Sequence, residues 1–381
     1  MHLKKIPFQR KADEMTDPRI EKLAQVLVQY SAPVRPGDLV AIRANAVAAP
    51  LIQALYREVL RAGGYPLTQI TVSGLNETFF KEASDAQLEF ISPVERLVTE
   101  QYQVIYTIMS ETNTKALTNI DPTRQRRAQV ARRALRETFL QRAASGDLRW
   151  ALTLYPTDAY AQDAEMALDE FTEFVFGAGL LDDPDPVARW QEISARQQHL
   201  CEWLKGKRQI HAIGPHVDMT LSIEGRTFIN ADGRHNFPDG EIFTGPVEDS
   251  VNGWVEFTYP AIHDGREVEG IRLRFENGAV VEASARKNQD YLLKMLDADE
   301  GARRLGEWAI ATNPMIQRFT RNILFDEKIG GTIHMALGAS YPETGGRNQS
   351  AIHWDMICDM REGGEIYVDG QLFYRAGEFL V

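Results

Sequence analysis

Four apolar runs of strand length punctuate the first 160 residues, with stretches of helical spacing between and after them. The runs are 38–43 (after the Pro36-Gly37 turn), 66–72, 104–109 and 150–155. Between the first two, 48–62 has helical spacing and stops at Gly63-Gly64. Alternating strands and helices require crossover connections, so this half predicts an α/β unit with a mostly parallel sheet covered on both faces. A helix precedes the first strand: Thr16 or Asp17 can cap it, Pro18 suits its first turn, and Ile20, Leu23, Ala24, Leu27 and Val28 form its apolar stripe. No G-x-G-x-x-G or P-loop sequence follows any strand, so nothing points to a nucleotide. Residues 124–142 hold seven arginines and one glutamate. They predict an amphipathic helix with Val130, Ala134 and Leu135 against the sheet and the arginines in solvent.

Near residue 207 the rhythm changes to short strands and turns. Asn277-Gly278 and Asp369-Gly370 are hairpin signals. The spacing predicts a helical segment over 288–311, then strands over 332–338 and 351–358. The expected organisation is a polar extension over 1–15, an α/β domain over 16–208 and an α+β domain over 209–381.

Composition narrows the partners. With 42 basic and 54 acidic residues, the net charge of −12 disfavours nucleic acid and anionic membrane as ligands. No apolar run approaches the roughly 20 residues of a membrane span. The first residues are basic without an apolar segment, so no secretory signal is read there. Cys201 and Cys358 cannot build a disulfide framework or a cysteine zinc site. A cytoplasmic protein is expected, with neither nucleic acid nor membrane as partner.

Chemistry concentrates in the second half. His353-Trp354-Asp355 places a histidine and an aspartate two apart, hence on one face of a strand. Its neighbours Ile352, Trp354 and Met356 are apolar, so the other face is expected in the core. Burying an aspartate without a cation is costly. His334 sits in a second apolar strand. His216-Val217-Asp218 has the same H-x-D form and is taken as an exposed pair; His2, His211, His235 and His263 show no ligand setting. Glu241 opens a strand after Pro238-Asp239-Gly240, Glu307 lies in the apolar segment 305–310, and Glu327 precedes Gly330-Gly331. Three glutamates, two histidines and one aspartate form the ligand set a two-metal hydrolase needs, since paired divalent ions require several carboxylates, one of them bridging. The histidines favour zinc, cobalt or manganese over calcium. There is no H-E-x-x-H and no G-x-S-x-G.

Several segments together resemble the aminopeptidase T family of thermophilic-type metallopeptidases. They are Glu224-Gly-Arg-Thr-Phe-Ile-Asn230, Asn236-Phe-Pro-Asp-Gly-Glu-Ile-Phe-Thr-Gly-Pro246, Gly306-Glu-Trp-Ala-Ile310, Asn322-Ile-Leu-Phe-Asp-Glu-Lys328, Gly331-Thr-Ile-His-Met-Ala-Leu-Gly338, Ser340-Tyr-Pro-Glu-Thr344 and Ile352-His-Trp-Asp355. The resemblance runs from about Met15 to the C-terminus. It implies an aminopeptidase acting on peptides with two divalent ions per chain: zinc, cobalt, manganese or magnesium. Carried over by position, the ligands are Glu241, Glu307, Glu327, His334, His353 and Asp355, with Glu307 as the bridge and Tyr341 as the active-site tyrosine. Glu241 or Glu343 would carry the proton to the leaving amine. The resemblance also implies a homodimer whose active site faces an enclosed cavity. The alternative is a ring-cleaving dioxygenase on the same scaffold, with one ferrous ion held by His334, His353 and Asp355.

Overall fold

The computed structural model describes residues 17–263 and 265–381. The extension at 1–15, with His2 and Met15, and the capping choice at Thr16 lie outside the described residues. Asp17 accepts a hydrogen bond from the Arg19 backbone N–H and so caps the helix Pro18–Val26.

The first half carries the expected parallel sheet. Its order is Tyr65–Thr71, Leu39–Asn45, Val104–Met109, Arg149–Leu154 and Asn236–Phe237, with every pairing parallel. The fifth strand comes from residue 236, far beyond the other four. Helices buried on the sheet supply the core: Leu51, Leu55 and Val59 from Ala49–Arg61, and Phe171, Val175 and Phe176 from Leu168–Ala178. The arginine-rich stretch departs from expectation. It forms two helices, Pro122–Ala131 and Arg133–Ala144, and buries Ala128 and Leu135, whereas Val130 and Ala134 are exposed. The break at Arg132 rotates the second helix, so one continuous stripe cannot form.

The second half is dominated by antiparallel sheets, as an α+β unit should be. An eight-stranded sheet packs against one face of a five-stranded sheet ordered His353–Asp359, Thr332–Gly338, Leu305–Ala311, Glu241–Thr244 and Ile229–Ala231. Ile310, Trp308, Met335, Leu337, Trp354 and Met356 fill the space between them. Both hairpin signals hold: Asn277 and Gly278 join Arg272–Glu276 to Ala279–Ser284, and Asp369 and Gly370 join Glu365–Val368 to Gln371–Arg375.

The helical segment expected over 288–311 is a correction. Helix spans only Gln289–Leu296, and Leu305–Ala311 is the central strand of the five-stranded sheet. All seven of its residues are buried. A strand covered on both faces loses the apolar–polar alternation that separates it from a buried helix. His216 also falls outside its expected strand, which begins at Val217; Asp218 pairs instead with His211, 2.8 Å from its Nε2, at an exposed position.

Candidate metal centre

Antiparallel register decides which side chains share a face. Ala311 stands opposite Glu241, Ala309 opposite His334, Glu307 opposite Ala336, and Ala336 opposite Asp355. Glu241, Glu307, His334, His353 and Asp355 therefore project from the face turned away from the eight-stranded sheet. Alanines at 309, 311 and 336 leave room between them.

Glu327 arrives from elsewhere. It follows the short helix Ile323–Asp326, which Asn322 caps and whose Asp326 carboxylate accepts from the Thr320 N–H and hydroxyl. Ile316, Leu324, Phe325 and Ile329 of this segment belong to the core of the parallel-sheet half, where Phe325 meets Phe171 and Phe174 edge-on. The first half thus holds Glu327 over a site whose other members stand on the second half's sheet.

His334 Nε2 lies 3.3 Å from Glu241 Oε2 and 3.7 Å from Glu307 Oε1. His353 Nε2 lies 3.2 Å from Glu307 Oε2 and 3.5 Å from Asp355 Oδ1. Each ring's Nδ1–H donates to a backbone carbonyl, Glu327 at 3.0 Å for His334 and Ala339 at 2.8 Å for His353. These bonds set the tautomer that presents Nε2 to the carboxylates, as in histidine metal ligands. Among the described residues, three overlapping groups have ligand atoms within 4.8 Å of one another: Glu241, Glu307 and His334; Glu307, His353 and Asp355; Glu327, His334 and Asp355.

The electrostatics are those of a cation site. Burial alone would depress the His334 pKa, but the carboxylates of Glu241, Glu307 and Glu327 outweigh it and hold it at about 10. Burial likewise opposes the charge on His353, and Asp355 and Glu307 raise its pKa to about 11. Burial pushes the Glu241 and Glu327 carboxyls up against the pull of Lys328. For Glu307 and Asp355 burial is outweighed by the histidines, and both are lowered, Asp355 to about 2. Among the described residues, the buried carboxylate oxygens Glu241 Oε2 and Asp355 Oδ1 make no hydrogen bond of good geometry. Such orphaned acceptors are costly, and this donor set fits divalent metal ions.

Tyr341 rests its ring on His353, 5.0 Å between centroids, and meets Phe243 at 5.5 Å. Tyr341 is exposed in part, yet local desolvation and the surrounding carboxylates raise its pKa, so the phenol keeps its proton. Glu343 is exposed on the turn Pro342–Thr344, outside all three groups.

Lys328 and Asp239 were not singled out as site residues from the sequence. Lys328 is fully buried, contacts Glu327 and stands 3.6 Å from Glu241 and 3.7 Å from Asp239. A lysine is an exposed residue by default; its place between Phe325 and Ile329, beside two acids, was the one available signal.

A family model described as thermophilic metalloprotease (M29) matches residues 16–379. The chain is 27% identical to aminopeptidase 2 of Geobacillus stearothermophilus, with 92% of this chain and 93% of that one covered. It is 32% identical to aminopeptidase T of Thermus aquaticus over 69% and 72% of the two chains. The solved structure of AmpT from Thermus thermophilus superposes with a TM-score of 0.83 at 25% identity, covering 96% of this chain and 99% of the other. A 2,5-dihydroxypyridine dioxygenase from Pseudomonas putida shares the fold at a TM-score of 0.56 and 12% identity, covering 96% and 98%.

Proposed function

The chain belongs to the thermophilic metalloprotease (M29) family, and from that premise we propose that it is a two-metal aminopeptidase releasing N-terminal residues from peptides. The observation that carries the second ion is the division of Glu307: its two oxygens face different histidines, Oε1 toward His334 and Oε2 toward His353. A carboxylate so divided suits a bridge between two cations. Charge agrees. With buried Asp239 set against Lys328, the carboxylates of Glu241, Glu307, Glu327 and Asp355 balance two divalent ions and leave one ion outnumbered.

Glu241 and His334 would hold one ion, His353 and Asp355 the other, with Glu327 adding to the shared edge. Two such ions would supply Lewis acidity and a water that loses its proton near neutral pH. The chain's own groups do the rest. The backbone carbonyls behind both histidines keep Nε2 turned inward. The protonated Tyr341 phenol can donate a hydrogen bond to a carbonyl oxygen of the bound peptide. An anionic cluster favours the cationic α-amino group, which accounts for cleavage at chain ends.

The dioxygenase alternative rests on shared fold alone. A mononuclear site made by His334, His353 and Asp355 leaves Glu241 and Glu307 buried without a role. Homodimerisation is part of this proposal, and sedimentation equilibrium tests it. The principal experiment is metal content per chain beside release of leucine from a leucyl-peptide, with and without chelator. Two ions and chelator-sensitive release are expected; one ion, or release that ignores the chelator, defeats the proposal.

A further inference from the structure

Lys328 is the buried cation of the site, and it divides the carboxylates around it. Its side chain is 0% exposed. An ammonium has three N–H donors and no acceptor, and three carboxylates surround this one: Glu327 through Oε1, Glu241 through Oε1 at 3.6 Å, and Asp239 through Oδ1 at 3.7 Å. Glu241 is thereby split. Oε1 faces the ammonium, while Oε2 faces His334 Nε2 at 3.3 Å and makes no hydrogen bond of good geometry. Glu327 also meets the ammonium through Oε1, which leaves Oε2 for a cation. Asp239 belongs to none of the three ligand groups. It is held by Gly240 N–H at 3.1 Å and serves as counter-charge to the ammonium.

We propose that Lys328 is a positioning residue that makes Glu241 and Glu327 one-oxygen metal ligands. By occupying one oxygen of each, the ammonium prevents either carboxylate from chelating an ion and so keeps the coordination number low. Low coordination leaves positions open for water and substrate, as catalytic sites require. The inference rests on the metal-centre proposal above, and cobalt uptake separates the two.

The test uses the full-length protein loaded with cobalt(II), whose visible bands weaken as coordination number rises. The variant carries Lys328→Met together with Asp239→Asn, which removes the buried pair without leaving either charge alone. Two cobalt ions per chain with bands weaker than those of the unaltered protein is the expected result. Unchanged bands at equal cobalt content overturn the role of Lys328. Failure of the unaltered protein to bind cobalt defeats the metal-centre proposal instead. A crystal structure of the unaltered cobalt-loaded protein decides the matter even where the variant does not fold. Single oxygens from Glu241 and Glu327 at about 2.0–2.2 Å support the inference, and chelation by both oxygens of either residue overturns it.

Discussion

Leu305 and Glu307 stand two residues apart on one strand and yet face opposite sides of the sheet. Leu305 is opposite Leu337, whereas Glu307 is opposite Ala336, so Gly306 is an extra residue in the ladder. The bulge sends Leu305 into the core with Trp308 and Ile310, and turns Glu307 toward His334 and His353. A Cβ on Gly306 would lie 2.2 Å from the Ala339 carbonyl oxygen and 2.4 Å from that of Gly338. Backbone oxygens cannot move aside as a side chain can. Gly306→Ala is expected to lose metal binding, or to bind with affinity reduced by at least about 10-fold, the lower figure for displaced support of a ligand. Titration with zinc measures this, and wild-type affinity in the variant would refute the bulge as the element that aims Glu307.

If Glu307 is shared by two ions as proposed, its removal separates one ion from two. Glu307→Ala deletes both oxygens that face the histidines. Metal content should fall below two ions per chain, and peptide hydrolysis by more than about 100-fold, beyond the loss typical of outer-sphere partners. Atomic emission and leucine release measure the two effects. Retention of two ions would transfer the bridging role to Asp355, which also belongs to two of the three ligand groups.

Phe325 ties the site to the other half of the molecule. It is fully buried against Phe171 and Phe174, two residues before Glu327. Phe325→Ala is expected to cost about 3–5 kcal/mol, the range for deleting a buried aromatic side chain. It should also weaken metal binding, because the turn that delivers Glu327 loses its anchor. Urea unfolding of the metal-free protein gives the first effect and zinc titration the second. A loss of stability with unchanged metal affinity would show that Glu327 is placed by the second half alone.

Most of the architecture was legible because it rests on period. The four parallel strands and both Asx-Gly hairpins carry their signals locally. His353 and Asp355 share a face by spacing alone, since residues two apart on a regular strand must. The Leu305–Ala311 strand was not legible, because uniform burial erases alternation and the bulge at Gly306 shifts what remains. Lys328 was hidden for a different reason. Its burial depends on Asp239, Glu241 and Glu327, and the first two are distant in sequence. The pairing of Asn236–Phe237 with Arg149–Leu154 is likewise a tertiary fact with no local signal.

The last prediction concerns acid. The Glu267 carboxyl is lowered from 4.5 to about 2, chiefly by hydrogen bonding to Lys287 and then to Arg321, against the opposing effect of burial. Arg321 lies 3.0 Å from Glu267 and donates to the Asp163 carbonyl at 2.9 Å. It adjoins Thr320 and Asn322, which hold the helix before Glu327. A carboxyl with a lowered folded-state pKa stabilises the fold fully above its unfolded value, here 4.5, and loses that contribution as pH falls toward about 2. Asp17, Glu173 and Asp359 are lowered too, whereas burial raises Asp239, Glu241, Asp326 and Glu327, so the responses to acid oppose one another and only a comparison isolates this group. Glu267→Gln should be less stable than the unaltered chain at pH 6, and the gap should narrow as pH falls below 4.5. Urea unfolding of the metal-free forms across this range measures it. A gap that stays constant with pH would mean that Glu267 acts through packing or neutral hydrogen bonds, and that its charge contributes nothing to holding Arg321.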